Sequence, residues 1–168
     1  MGTLETLMTA PVRDFQVVFA KYAGCLFFYA ILWAPSLLYF TAFEAVTGVE
    51  AAGAAGSYVG AYAMLLLMGC LFTAIGCLAS ALTDNQIVAA VVCFSAILCL
   101  FFIGLLAFFI PATGTALREV TYYFSPIEHM MDFSRGIFDT RPVVFYLSST
   151  LVVLFATFHI FQYRRWKA

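Results

Sequence analysis

The stretch 57–110, SYVGAYAMLLLMGCLFTAIGCLASALTDNQIVAAVVCFSAILCLFFIGLLAFFI, carries a single charged residue, Asp84, near its middle. About 20 apolar residues cross a bilayer core of about 30 Å, so the run is long enough to cross twice. Thr83, Asp84 and Asn85 divide it into spans 57–82 and 86–110, and so short a connection forces a tight antiparallel helical hairpin. Pro111 ends the second span, because proline lacks the N–H that a helix needs.

Outward from this hairpin, the segments 22–43 and 142–163 are also free of Asp, Glu, Lys and Arg and make two further spans. Pro35 interrupts the first of them and should kink it. The whole chain is 64% hydrophobic and 10% charged, against about 25% charged in soluble proteins. The reading is an all-α polytopic membrane protein of about four transmembrane helices. It forms a single membrane domain over 1–168 with no room for a soluble catalytic domain.

Residues 1–21 are not a span, because Glu5, Arg13, Asp14 and Lys21 interrupt them. Leu4, Leu7 and Met8 nevertheless fall on one helical face, the pattern of a short amphipathic helix near a surface. Pro11 breaks it and suits the first turn of a second helix, which runs through Phe15 and Phe19 into the first span. The start has no basic stretch followed by an apolar one, so the first span serves as insertion signal.

The segment 111–141 gathers seven of the charges among Tyr122, Tyr123, Phe124, Met130, Met131, Phe133 and Phe138. Such a mixture predicts short helices at the membrane interface. The tail Arg164, Arg165, Trp166 and Lys167 is a basic and aromatic anchor. Four spans put both ends on one face, which holds five Lys and Arg against three on the other. The excess of positive charge predicts cytoplasmic N- and C-termini in the cell (plasma or inner) membrane.

A formal charge of −1 without a basic run excludes nucleic-acid binding of the usual electrostatic kind. Cys25, Cys70, Cys77, Cys93 and Cys99 lie in apolar runs without C-x-x-C spacing and read as packing residues. His129 and Asp132 share a helix face, but two ligands without a third make no metal site. No P-loop, nucleophile motif or intramembrane carboxylate pair is present, so no cofactor is expected and any energy source lies outside the chain. Gly56-x-x-x-Gly60, and the ridge Gly69, Thr73, Cys77 and Ala81, would let a helix approach closely. That helix could belong to this chain or to another subunit.

Two segments carry a family resemblance. GTLETLMTAPV (2–12) resembles the G-T-x-E-x-L-x-x-x-P-V segment of ABC-2-type permeases, the membrane subunits of ATP-binding-cassette exporters. Among these it is most similar to the gliding-motility and copper-enzyme-maturation permeases. YFSPIEH (123–129) followed by FSRGIFDTR (133–141) resembles the family's outer segment before its last span.

The resemblance implies that 2–12 is a coupling helix docking on an ABC ATPase subunit, with Leu4, Glu5, Leu7, Met8 and Pro11 making the contact. It implies an outer gate shaped by Tyr122, Tyr123, Pro126 and Arg135, and a second permease copy or paralogue as partner. Family members carry about six spans, so a chain starting at the G-T-x-E motif is expected to be N-terminally truncated, through a shortened gene, a late start or a split permease. The alternative function is a non-transporting scaffold or remnant that anchors a partner complex in the bilayer.

Overall fold

The computed structural model describes residues 14–48, 55–109 and 116–167. Every regular element among them is helical, and four helical stretches are long and apolar enough to cross a membrane: Phe15–Thr47, Gly56–Leu82, Gln86–Leu105 and Thr140–Tyr163. The chain is an all-α, multi-pass membrane protein.

The first stretch is two helices, α1 (Asp14–Trp33) and α2 (Leu38–Thr47), joined by a turn of 3-10 helix, Ala34–Leu37. Pro35 sits in the first turn of this 3-10 segment, where its missing N–H costs least. Backbone carbonyls freed at such a break need new donors in a bilayer. Ser36 Oγ donates to the Trp33 carbonyl at 2.6 Å and pairs with Tyr62 Oη at 2.7 Å. Gly48, at φ +66°, closes α2 in the left-handed conformation that glycine adopts without strain, its N–H bonding to Glu44 O at 2.9 Å.

Helix α3 (Ala55–Leu82) has 28 residues, about 42 Å of length, and forms the centre of the molecule. It packs on α1, on α4 (Gln86–Phe109), on α6 (Pro126–Ser134) and most extensively on α7 (Thr140–Lys167). Met64, Met68 and Leu71 form the main core with Phe133 of α6 and Tyr146 of α7. Ala74 and Cys77 meet Tyr22 of α1 in a second core. Helix α4 lies outside and shows most of its apolar side chains, including Ile87, Phe94 and Phe102, to the surroundings. In lipid such a face is solvated by acyl chains and needs no protein partner.

The turn between α3 and α4 is the three-residue connection read from the sequence. Asn85 caps α4, its Oδ1 accepting from the Ile87 N–H at 2.9 Å. Asn85→Ala is expected to cost the helix start about 1 kcal/mol and leave the spans intact. Faster hydrogen exchange confined to the first turn of α4 would check it.

Beyond α4 the chain returns through α5 (Ala116–Tyr123) and α6, which lie against the ends of α4 and α3. Ser125 is the N-cap of α6, accepting from the Glu128 N–H at 3.3 Å, and Pro126 occupies the first turn. Serine followed three residues later by glutamate is a capping-box spacing. At the other end Gly136 (φ +78°) donates to Phe133 O at 3.0 Å and Ile137 to Asp132 O at 3.0 Å. That pair of bonds stops the helix and leaves the last carbonyls partnered.

Candidate functional site

Helices α5 and α6 and the start of α7 enclose a cleft of about 570 Å³ lined by Tyr122, Tyr123, His129, Asp132, Asp139, Arg141 and Pro142. Each wall has a local cause. The two tyrosines end α5, and Ser125 and Pro126 then turn the chain into α6, whose face carries His129 and Asp132. Asp139 caps α7 by accepting from the Arg141 N–H at 3.0 Å, which fixes its carboxylate at the rim.

Tyr122 Oη donates to Asp132 Oδ2 and ties the end of α5 to α6. The carboxylate acceptor raises the phenol pKa to about 12, with burial and the charges of Asp132, Glu128 and Asp139 adding to the shift. Tyr122 therefore remains a donor throughout the neutral range. Arg141 lies at the mouth, its Nε 3.9 Å from Asp139 Oδ2 and its side chain 80% exposed. So exposed a pair contributes little to stability.

His129 forms the floor and is only 4% exposed. Its ring stands edge-on to Tyr122 at 6.4 Å and to Tyr146 at 5.8 Å, and its Nδ1 approaches the buried Tyr146 hydroxyl to 3.5 Å. Burial pushes the imidazole below its ordinary 6.5, against the opposing pull of Asp132 and Asp139. The folded segment thus holds a neutral ring at a pH where the unfolded one already takes a proton. The stability it contributes is complete above pH 6.5 and is lost as the pH falls toward the lowered folded value. Thermal midpoints should drop between neutral pH and about pH 5 in the wild type, and less in His129→Gln.

The cleft joins Tyr122 and Tyr123, two of the expected gate residues, with five residues that the resemblance did not assign to a gate: His129, Asp132, Asp139, Arg141 and Pro142. Pro126 and Arg135 do not line it. Pro126 is buried where α6 starts, and Arg135 caps the end of α6 through its backbone N–H.

Of the glycines singled out for helix packing, Gly56 has no described residue within 4 Å of where a Cβ would stand. At Gly60 a Cβ would run into the Phe133 carbonyl oxygen, and at Gly69 into the ring of Tyr29. Thr73 turns its hydroxyl back onto the Gly69 and Cys70 carbonyls at 2.7 and 3.1 Å. A further close approach is Gly104 of α4, where a Cβ would lie 2.8 Å from Ser125 Oγ. The sequence offered no signal for it beyond a small residue in an apolar run. Leu4, Glu5, Leu7, Met8 and Pro11 lie outside the described residues.

The lining of the cleft offers aromatic walls, two carboxylates and a partly detached arginine. Among the described residues no group of three or more His, Cys, Asp or Glu is placed to hold a metal ion. A family model described as "ABC-2 family transporter protein" matches residues 2–161. No curated protein and no solved structure gives a match. The match takes in nearly the whole chain, which belongs to the ABC-2 transporter family as a membrane component of a transporter.

Proposed function

We propose, with membership of this family as the premise, that the chain is an exporter permease subunit driven by ATP hydrolysis on a separate ABC ATPase. The observation that carries this reading is the reach of the family match, from residue 2 through the last span. It includes the segment 2–12, whose Leu4, Glu5, Leu7, Met8 and Pro11 would dock on the ATPase from the cytoplasmic side. A second permease, identical or related, would complete the assembly.

The fold supplies a mechanical route for the coupling. Helix α1 is unbroken from Asp14 to Trp33, so a push at its start is carried along a rigid rod. The rod is fastened to α3 by Tyr22 Oη to Cys70 O at 3.3 Å, Tyr29 Oη to Leu65 O at 3.2 Å and Lys21 Nζ to Ser80 Oγ at 2.8 Å. Helix α3 in turn bears α6 at Gly60, and α6 walls the cleft. Tilting of α1 would therefore change the shape of the outer cleft.

Leu4→Glu with Leu7→Glu tests the proposal by placing charge on the docking face. The double variant is expected to reach the membrane at normal level and to lose at least tenfold of the co-purifying ATPase, since about 1.4 kcal/mol of lost contact is a tenfold change. Undiminished ATPase recovery together with undiminished transport would reject the coupling role. Undiminished recovery without any transport in the wild type would instead favour a scaffold.

A further inference from the structure

The walls of the cleft set the sign and size of what it can hold. Asp132 and Asp139 outnumber Arg141, and the Arg141 side chain is 80% exposed, turned largely to the mouth. Asp132 uses Oδ2 to accept from Tyr122, while its Oδ1 has no hydrogen bond to a described residue. A carboxylate with such an oxygen in a partly desolvated cleft favours a cationic donor. Below it lies the 4%-exposed His129, whose Nδ1 approaches the Tyr146 hydroxyl to 3.5 Å.

The aromatic walls are rigid. Tyr123 is held edge-on by Phe124 at 5.7 Å and Phe145 at 5.5 Å, and Tyr122 by His129. Tyrosine faces attract organic cations through the ring quadrupole. A space of about 570 Å³ is far larger than a metal ion needs and falls in the range of small-molecule sites.

We propose that this cleft binds a small organic monocation, an alkyl- or arylammonium, with its charge against Asp132 and Asp139 and its apolar body against Tyr122 and Tyr123. That the bound cation is cargo rests on the exporter reading; the binding itself does not. The same ammonium chemistry is carried by a free amine and by a choline headgroup.

The test uses the purified full chain in maltoside micelles and in phosphatidylcholine nanodiscs, titrated with benzyltrimethylammonium and, separately, with phenylacetate of opposite charge. Saturable binding of the cation and none of the anion is expected. Asp132→Asn and Asp139→Asn should each weaken it about tenfold, and the exposed-site variant Arg141→Gln should strengthen it about threefold. Equal affinity in both media assigns the site to a free cation, and weaker binding in the nanodiscs to the choline headgroup.

Circular dichroism and elution position establish that each variant is folded, and the Arg141→Gln arm decides the sign of the site even where an aspartate variant is not. Phenylacetate binding as tightly as the cation, loss of binding in Arg141→Gln, or no saturable binding to the folded chain overturns the proposal. None of these titrations involves an ATPase, so they can fail while the coupling test succeeds, or succeed while it fails.

Discussion

Gly60→Leu is expected to lift α6 off α3 and to destabilise the protein by about 3 kcal/mol, the upper part of the usual range for overpacking. The reason is the nature of the neighbour. A Cβ at this position meets the carbonyl oxygen of Phe133, with the Phe133 carbonyl carbon at 3.2 Å and Phe138 Cζ at 3.4 Å. Phe138 can turn aside, but a backbone carbonyl cannot. This one is also held by the Gly136 N–H at 3.0 Å, so it moves only if the end of α6 moves. Phe133 is 2% exposed and packs with Met64, Met68, Leu71 and Tyr146, so its displacement opens the main core.

Gly56→Leu is the internal comparison, because no described residue lies within 4 Å of the Gly56 Cβ position. Thermal midpoints of the two variants in the same detergent check the claim. A clear drop for Gly60→Leu and little change for Gly56→Leu is expected, and equal midpoints would contradict it.

Gly69→Leu is expected to separate α1 from α3 by displacing Tyr29. The ring of Tyr29 lies flat enough on Gly69 that its Cδ1, Cε1 and Cζ atoms are all nearest neighbours of an added Cβ. Pushing the ring away also removes its hydroxyl from the Leu65 carbonyl, which it reaches at 3.2 Å. Lost packing and a lost hydrogen bond together predict about 2 to 3 kcal/mol.

Tyr29→Ala alone removes the same contacts but leaves a gap over Gly69, which the leucine of Gly69→Leu can partly fill. The double variant should therefore be more stable than the sum of the single effects by about 1 kcal/mol or more. Strict additivity in the cycle of thermal or chemical stabilities would show that the two residues do not act on one another.

Much of the architecture is written in the distribution of charge. Spans and hairpin follow from where Asp84 and its neighbours stand, and the break in the first span follows from Pro35. What the sequence does not convey is which span is central. The stretches 57–82 and 86–110 are both apolar on every side, so neither has a hydrophobic face to point inward. Yet 33% of the residues in the most apolar 18-residue window of Gly56–Leu82 are buried, against 6% in that of Gln86–Leu105.

The difference comes from small residues whose value depends on the partner. Gly60 and Gly69 admit a carbonyl and a ring, whereas at Gly56, in the same i, i+4 motif as Gly60, no described residue comes within 4 Å. The cleft was half legible for a similar reason. Tyr122 and Tyr123 stand out as aromatics of the segment 111–141, but that Asp139 and Arg141 join them depends on Asp139 capping α7 beside α6. From the sequence His129 reads as half of a metal pair; its burial against Tyr146 is a tertiary fact.

In the proposed mechanism, events at the segment before α1 are felt at the cleft, which the proposal places on the outer side. Ile137, 55% exposed between α6 and α7, is a suitable reporter. Ile137→Cys in a chain whose native cysteines are replaced, reconstituted with the proposed ABC ATPase, would be labelled from the proposed outer side by a membrane-impermeant maleimide. Trapping the ATPase with ATP and vanadate is predicted to change the labelling rate severalfold, and Leu4→Glu with Leu7→Glu to abolish that change. Identical rates in the free and trapped states, with the ATPase bound, would contradict the account.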